Sequence, residues 1–125
     1  MPLGFIEYTI LRPQSLLPGD NIRLLLLAGF ILLVFTGFAE EIIFRGVMLR
    51  AADDYLEKTH SLIFVGFIFA VLHIIHFSFL DVVFVFGVAV LFTFFVRRTG
   101  SLLGVSIAHG ITNIMLYLIW PLLLR

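Results

Sequence analysis

Residues 24–45 read LLLLAGFILLVFTGFAEEIIFR: an uncharged apolar run from Leu24 to Ala39 meets Glu40 and Glu41, and Arg45 follows four residues later. No proline or loop signal intervenes before Ala52, so one helix is predicted from Ile22 through the acidic pair to Ala52. At about 1.5 Å per residue it exceeds the roughly 30 Å hydrocarbon layer of a bilayer. An ionisable side chain at that depth costs roughly 2.5–3.5 kcal/mol on translocon scales. Groups held there are expected to face one another inside a bundle and to do chemistry.

Working outward, the whole chain has lipid as its solvent. Hydrophobic residues make up 62% of the 125 residues and charged residues 13%, against about 45–50% and about 25% in a soluble domain. Mean hydropathy is +1.17. Net charge is zero and no basic tract occurs, which argues against a nucleic-acid partner. The chain has no cysteine, and so no disulfide, thiolate nucleophile or cysteine-ligated zinc.

Residues 1–21 are expected to form an interfacial segment. Pro2, Pro13, Pro18 and Gly19 break any long helix, while Glu7, Arg12 and Asp20 keep the stretch out of hydrocarbon. One short amphipathic turn is the most it is expected to hold. It lacks the basic, apolar and small-residue order of a secretory signal. Asp20 or Asn21 is placed to cap the first span. Residues 22–125 are read as one membrane core. Asp53 to His60 is a charged surface connection that leaves His60 solvated. Ser61–Leu80 is the second span, Asp81 marks a tight turn, Val82–Val96 is the third span, and Ser101–Leu124 the fourth. The predicted fold is an all-α, polytopic membrane helical bundle of about four transmembrane helices, a multi-pass protein of the cell membrane with lipid around it. Basic residues are balanced between the span ends (Arg12, Arg23 and Arg125 against Arg50, Lys58, Arg97 and Arg98), so the positive-inside rule leaves orientation open.

Three polar constellations interrupt the spans. Glu41 and Arg45 lie one turn apart and can pair, whereas Glu40 points about 100° away. One arginine against two carboxylates leaves an acid unbalanced, as a general base requires. The bland alternative is a polar knot in which both glutamates pair with Arg45. On the second span, His73 lies one turn after Phe69, which can wall a site; His76 sits nearer the span end and reads as interfacial. On the fourth, His109 and Asn113 share a stripe with Ser106 and Tyr117. Two such N–H donors suit an oxyanion developing in acyl transfer, although the same stripe can mediate interhelical hydrogen bonds.

The order Glu40-Glu41-x-x-x-Arg45, Phe69-x-x-x-His73, His109-x-x-x-Asn113 resembles the CAAX-prenyl-protease and bacteriocin-processing family of intramembrane proteases. The likeness runs from about Leu24 to Leu124 and includes Arg97-Arg98-Thr99-Gly100-Ser101 as a linker. It implies a glutamate-dependent endopeptidase without a nucleophilic side chain. Glu40, with His73, would activate a water; His109 and Asn113 would stabilise the tetrahedral oxyanion; Glu41, Arg45 and Phe69 would support the site. The implied substrate is a peptide or membrane-tethered protein, cut in CAAX-type processing or in peptide maturation or bacteriocin immunity, with no cofactor. Family members usually carry further membrane helices ahead of the first motif, so the likeness covers a core. Lipid-facing grooves on such a core would be sealed by forming a homo-oligomer.

Three other chemistries could use the same groups. Zinc accepts nitrogen and carboxylate ligands, and His73, His76 and His109 with Glu40 or Glu41 offer them, but no H-E-x-x-H occurs. A rhomboid-like serine protease would need Ser106 as nucleophile, and no glycine follows that serine at the required place. A non-enzymatic transport or binding subunit would use the same groups as a proton or cation relay, without need of Asn113 one turn from His109.

Overall fold

A computed structural model describes residues 2–17, 19 and 21–124, and its described residues contain helices and no strand. Helix α1 spans Pro2–Leu11, α2 Ile22–Asp53, α3 Lys58–His76, α4 Phe79–Thr99 and α5 Leu103–Leu123. Helices α2 to α5 are each long and apolar enough to cross a membrane. Leu26, Phe30, Phe35, Phe67 and Phe94 are exposed while Glu41, Arg45, Asp81, Ser106 and His109 are buried. That inversion is what a hydrocarbon solvent selects, because apolar side chains meet lipid without cost and polar ones must find protein.

Helix boundaries follow local chemistry. Asn21 caps α2, its Oδ1 accepting from the backbone N–H of Arg23 at 3.1 Å and of Leu24 at 3.3 Å; this satisfies donors that the first turn leaves orphaned. Asp20, the alternative cap, lies outside the described residues, as do Pro18 and Arg125. Helix α2 runs unbroken past the acidic pair, and two π-helical stretches, Leu32–Ala39 and Ile42–Met48, flank Glu40 and Glu41. Such wider turns are rare and concentrate at functional sites. Helix α3 tightens into a 3-10 turn at Leu72–His76, after which Phe77 turns left-handed at φ 52°. Ser78 then caps α4 by accepting from the Asp81 N–H at 3.2 Å. Asp81 therefore sits in the first turn of α4, not in the loop, and this span is longer than predicted at both ends. Gly100, at φ 69°, closes α4, the left-handed conformation that glycine adopts without penalty.

The N-terminal segment holds more helix than the one short turn expected. It forms a ten-residue helix with Pro2 at its first position, where a missing N–H costs nothing. Glu7 is buried.

The chain divides into two compact units: one comprises residues up to Glu40 together with those from Ser106 onward, the other Glu41–Val105. In the first, α1 rests on α5, since a methyl group on Gly4 would lie 2.7 Å from the Thr112 carbonyl oxygen. Phe5 and Trp120 stack edge-on at 4.9 Å. Helices α2 and α5 run antiparallel there: Gly29 faces Ile114 and Leu118, Leu33 faces Gly110, and Gly37 faces Ser106 and Gly110. Both sides of this seam repeat at about every fourth residue, the spacing that brings small residues onto one face.

In the second unit, Phe44, Leu49, Val65, Phe69, Ala70, Val85 and Ala89 form the apolar core. The helix ends are tied by Arg97, which donates to Asp53 Oδ1 at 2.7 Å, to Ser61 Oγ at 3.1 Å and to the Lys58 carbonyl at 2.8 Å. Ser61 in turn donates to Asp53.

Candidate active site

The adjacent glutamates turn to different partners. Glu40, at the end of the first unit's N-terminal stretch, directs Oε2 to within 3.8 Å of His109 Nε2 on α5. That separation is within strong Coulomb reach at low dielectric but beyond a direct hydrogen bond. The Glu40 side chain is 34% exposed and His109 9%, so the pair lies at the edge of a protected interior. Asn113 stands one turn beyond His109 on the same helix and is half-buried. Between them Thr112 spends its hydroxyl on the Ala108 carbonyl at 2.8 Å, leaving His109 and Asn113 as the stripe's N–H donors.

In the second unit, Glu41 and Arg45 are almost completely buried, at 0% and 1%, and pair through Oε1 and Nη1 at 3.1 Å. Two ions taken out of water repay their desolvation only with further bonds. Arg45 obtains them: Nη2 donates to the Ala89 carbonyl at 3.2 Å, and its guanidinium carbon lies 4.5 Å from the centre of the Phe69 ring. Phe69 is held edge-on against Phe44 at 4.9 Å. Phe69 thus serves as a floor for the arginine more than as an open wall.

One turn on from Phe69, His73 places Nδ1 2.9 Å from the Phe69 carbonyl oxygen. A carbonyl only accepts, so Nδ1 carries the hydrogen and the neutral ring keeps its lone pair on Nε2. His73 packs its ring 5.8 Å from that of His76. His76 is more than an interfacial residue: its Nδ1 donates to Asp81 Oδ2 at 2.9 Å, and Asp81 is fully buried. Sequence reading missed this pair, although a histidine and an aspartate on either side of one tight turn were its signal. His60 is exposed, with Nδ1 3.6 Å from Glu57 Oε2. Among the described residues of either unit, no three histidine, aspartate or glutamate side chains gather as a metal ion would need.

The structure therefore brings together Glu40 and His109, with Asn113 one turn away, in one unit, and Glu41, Arg45, Phe69 and His73 in the other. Helices that belong in a bilayer, carrying buried and mutually partnered ionisable groups, define an integral membrane protein with a polar interior. The class can be narrowed further. The model of the Rce1-like family, type II CAAX prenyl endopeptidases, matches residues 22–115, and the chain belongs to that family. The match covers all three motifs and supports a membrane protease. No curated protein and no solved structure matches the chain.

Proposed function

We propose that this protein is a multi-pass intramembrane endopeptidase of the cell membrane that hydrolyses a peptide bond in a membrane-tethered substrate. The observation that carries the reading is the approach of Glu40 to His109 within a chain of the CAAX endopeptidase family. Residues 22–125 are its core, preceded by an N-terminal interfacial segment.

In this reading the Glu40 carboxylate takes one proton from water, and His73, with its lone pair on Nε2, is the second hydrogen-bond acceptor that the family resemblance assigns to that step; the water's other hydrogen stays on its oxygen. The oxygen attacks the scissile carbonyl carbon, and the carbonyl π electrons move onto its oxygen. His109, protonated on Nε2, and the Asn113 amide donate to that oxyanion, the charge that a preorganised site stabilises best. The carbonyl re-forms, the carbon–nitrogen bond breaks, and Glu40 returns its proton to the departing amine. Carboxylic acid and amine are released and the carboxylate is restored. Glu41 and Arg45, bonded to each other and to the α4 backbone, hold the stretch of α2 that carries Glu40. No cofactor enters these steps.

The test is cleavage of a panel of membrane-tethered peptides in detergent, prenylated CAAX peptides among them. Wild type cleaves at least one class, and Glu40→Gln loses that activity while its thermal unfolding is unchanged. Equal turnover by the variant removes Glu40 from the mechanism.

A further inference from the structure

The distance between Glu40 and His109 is set by a backbone crossing three residues before the glutamate and one after the histidine. A methyl group on Gly37 would fall 2.6 Å from the Ser106 carbonyl oxygen and 2.9 Å from the Gly110 Cα. A methyl on Gly110 would fall 2.5 Å from Leu33 Cδ1 and 2.9 Å from Leu33 Cα. Real Cβ atoms do not approach other atoms so closely. Apart from the Leu33 side-chain tip, these obstacles are backbone atoms, which no rotamer change can move. Only hydrogen fits at both positions.

Several other glycines of the chain behave differently. On the same seam, a methyl at Gly29 would meet Ile114 Cδ1 at 3.8 Å, an ordinary contact. Nothing lies within 4 Å of a methyl at Gly87 or Gly104. Close backbone approach through small residues is a general packing mode of membrane helices, and it recurs at Gly4, where α1 meets α5. On the α2–α5 seam it falls three residues before Glu40 and one after His109, and that position sets this crossing apart.

We infer that Gly37 and Gly110 are positioning residues for catalysis: their missing side chains let α2 and α5 close until the Glu40 carboxylate and the His109 imidazole serve one substrate. The inference rests on the proposed hydrolytic mechanism for its consequence, and on the crossing geometry alone for its structural part. A methyl at Gly37 must drive the helices apart, and a misplacement of about 1 Å in a catalytic site can lower turnover on the order of 100-fold.

The experiment is a glycine-to-alanine series with two readouts. In cleavage assays, Gly37→Ala lowers kcat on the order of 100-fold with KM little changed, whereas Gly29→Ala, Gly87→Ala and Gly104→Ala keep wild-type kcat. In a His109→Ala background Gly37→Ala lowers kcat no further, because the pair it spaces is already broken. Without any substrate, 15N shifts of the His109 ring move in Gly37→Ala in the same direction as in Glu40→Gln, and stay in place in Gly29→Ala. Should Gly37→Ala not fold, Gly110→Ala combined with Leu33→Ala is the milder variant. It removes the Leu33 tip and leaves the approaches to Leu33 Cα at 2.9 Å and to the Leu33 carbonyl oxygen at 3.3 Å, so a smaller loss of kcat is expected. Wild-type kcat or unmoved His109 shifts in folded Gly37→Ala, or in that milder variant, overturn the spacing role. A wild-type protein that cleaves nothing defeats the hydrolytic reading instead, and the ring shifts still decide the spacing.

Discussion

Arg45 Nη1 lies 3.1 Å from Glu41 Oε1, and neither side chain is more than 1% exposed. A charge pair so deeply enclosed is stable only while both members are present, because each alone would remain desolvated without a counter-ion. Glu41→Gln and Arg45→Met are therefore expected to destabilise singly by about 3–5 kcal/mol, read as loss of thermal stability in detergent. Combined in one chain they recover much of that loss, since no uncompensated ion remains. A double variant as unstable as the sum of its parts would show that the two residues do not act as a pair.

Removing a donor from the α5 stripe tests catalysis instead of folding. His109→Ala or Asn113→Ala is expected to lower kcat about 100- to 1000-fold and to leave KM near its wild-type value. An effect confined to KM would mean the groups bind ground-state substrate and transition state alike. In that case the oxyanion assignment fails.

Phe69 supplies the ring face beneath the Arg45 guanidinium at 4.5 Å. Phe69→Leu keeps an apolar side chain but loses that face, and a desolvated cation–π contact contributes about 2 kcal/mol. Thermal unfolding should report a loss of this size beyond what the change in shape causes. In a chain that already carries Arg45→Met, the cation–π part of the loss should vanish.

His76 and Asp81 close the turn between α3 and α4 through a 2.9 Å bond, with His76 27% exposed and Asp81 fully buried. His76→Ala leaves the carboxylate without this partner, at a cost of about 1–3 kcal/mol. His76→Gln, which can still donate to Asp81, is expected to recover part of it. Unfolding midpoints of the two variants decide the point: equal values would mean that the hydrogen bond contributes nothing.

Gly100 offers a contrast with the glycines of the α2–α5 crossing. Its φ of 69° is left-handed, and nothing lies within 4 Å of a methyl placed there. Gly100→Ala should cost about 1–2 kcal/mol through backbone conformation alone and leave kcat unchanged.

Much of this protein is legible from local pattern. The four long helices, the unbroken course of α2 through Glu40 and Glu41, and the Glu41–Arg45 pairing all follow from hydropathy over a span and from one-turn spacing. The three motifs also sufficed to place the chain in its family. Asn21 was readable as a cap because capping depends on residues two and three positions away. The end of α3 was harder: Ser78 caps α4 only because Phe77 turns left-handed, so the boundary moved and Asp81 entered a helix.

What residue order alone determined about this protein is its solvent, its long helices and the one-turn spacing of its polar groups, since all of these depend on interactions within one or two turns. The partners of those groups were decided by tertiary structure. Glu40 approaches His109 beside the crossing at Gly37, and residues nearly seventy positions apart in the chain leave no local trace of meeting. The burial of Glu7 belongs to the same category: it is set by packing between helices, where the alternative is a polar group left in hydrocarbon.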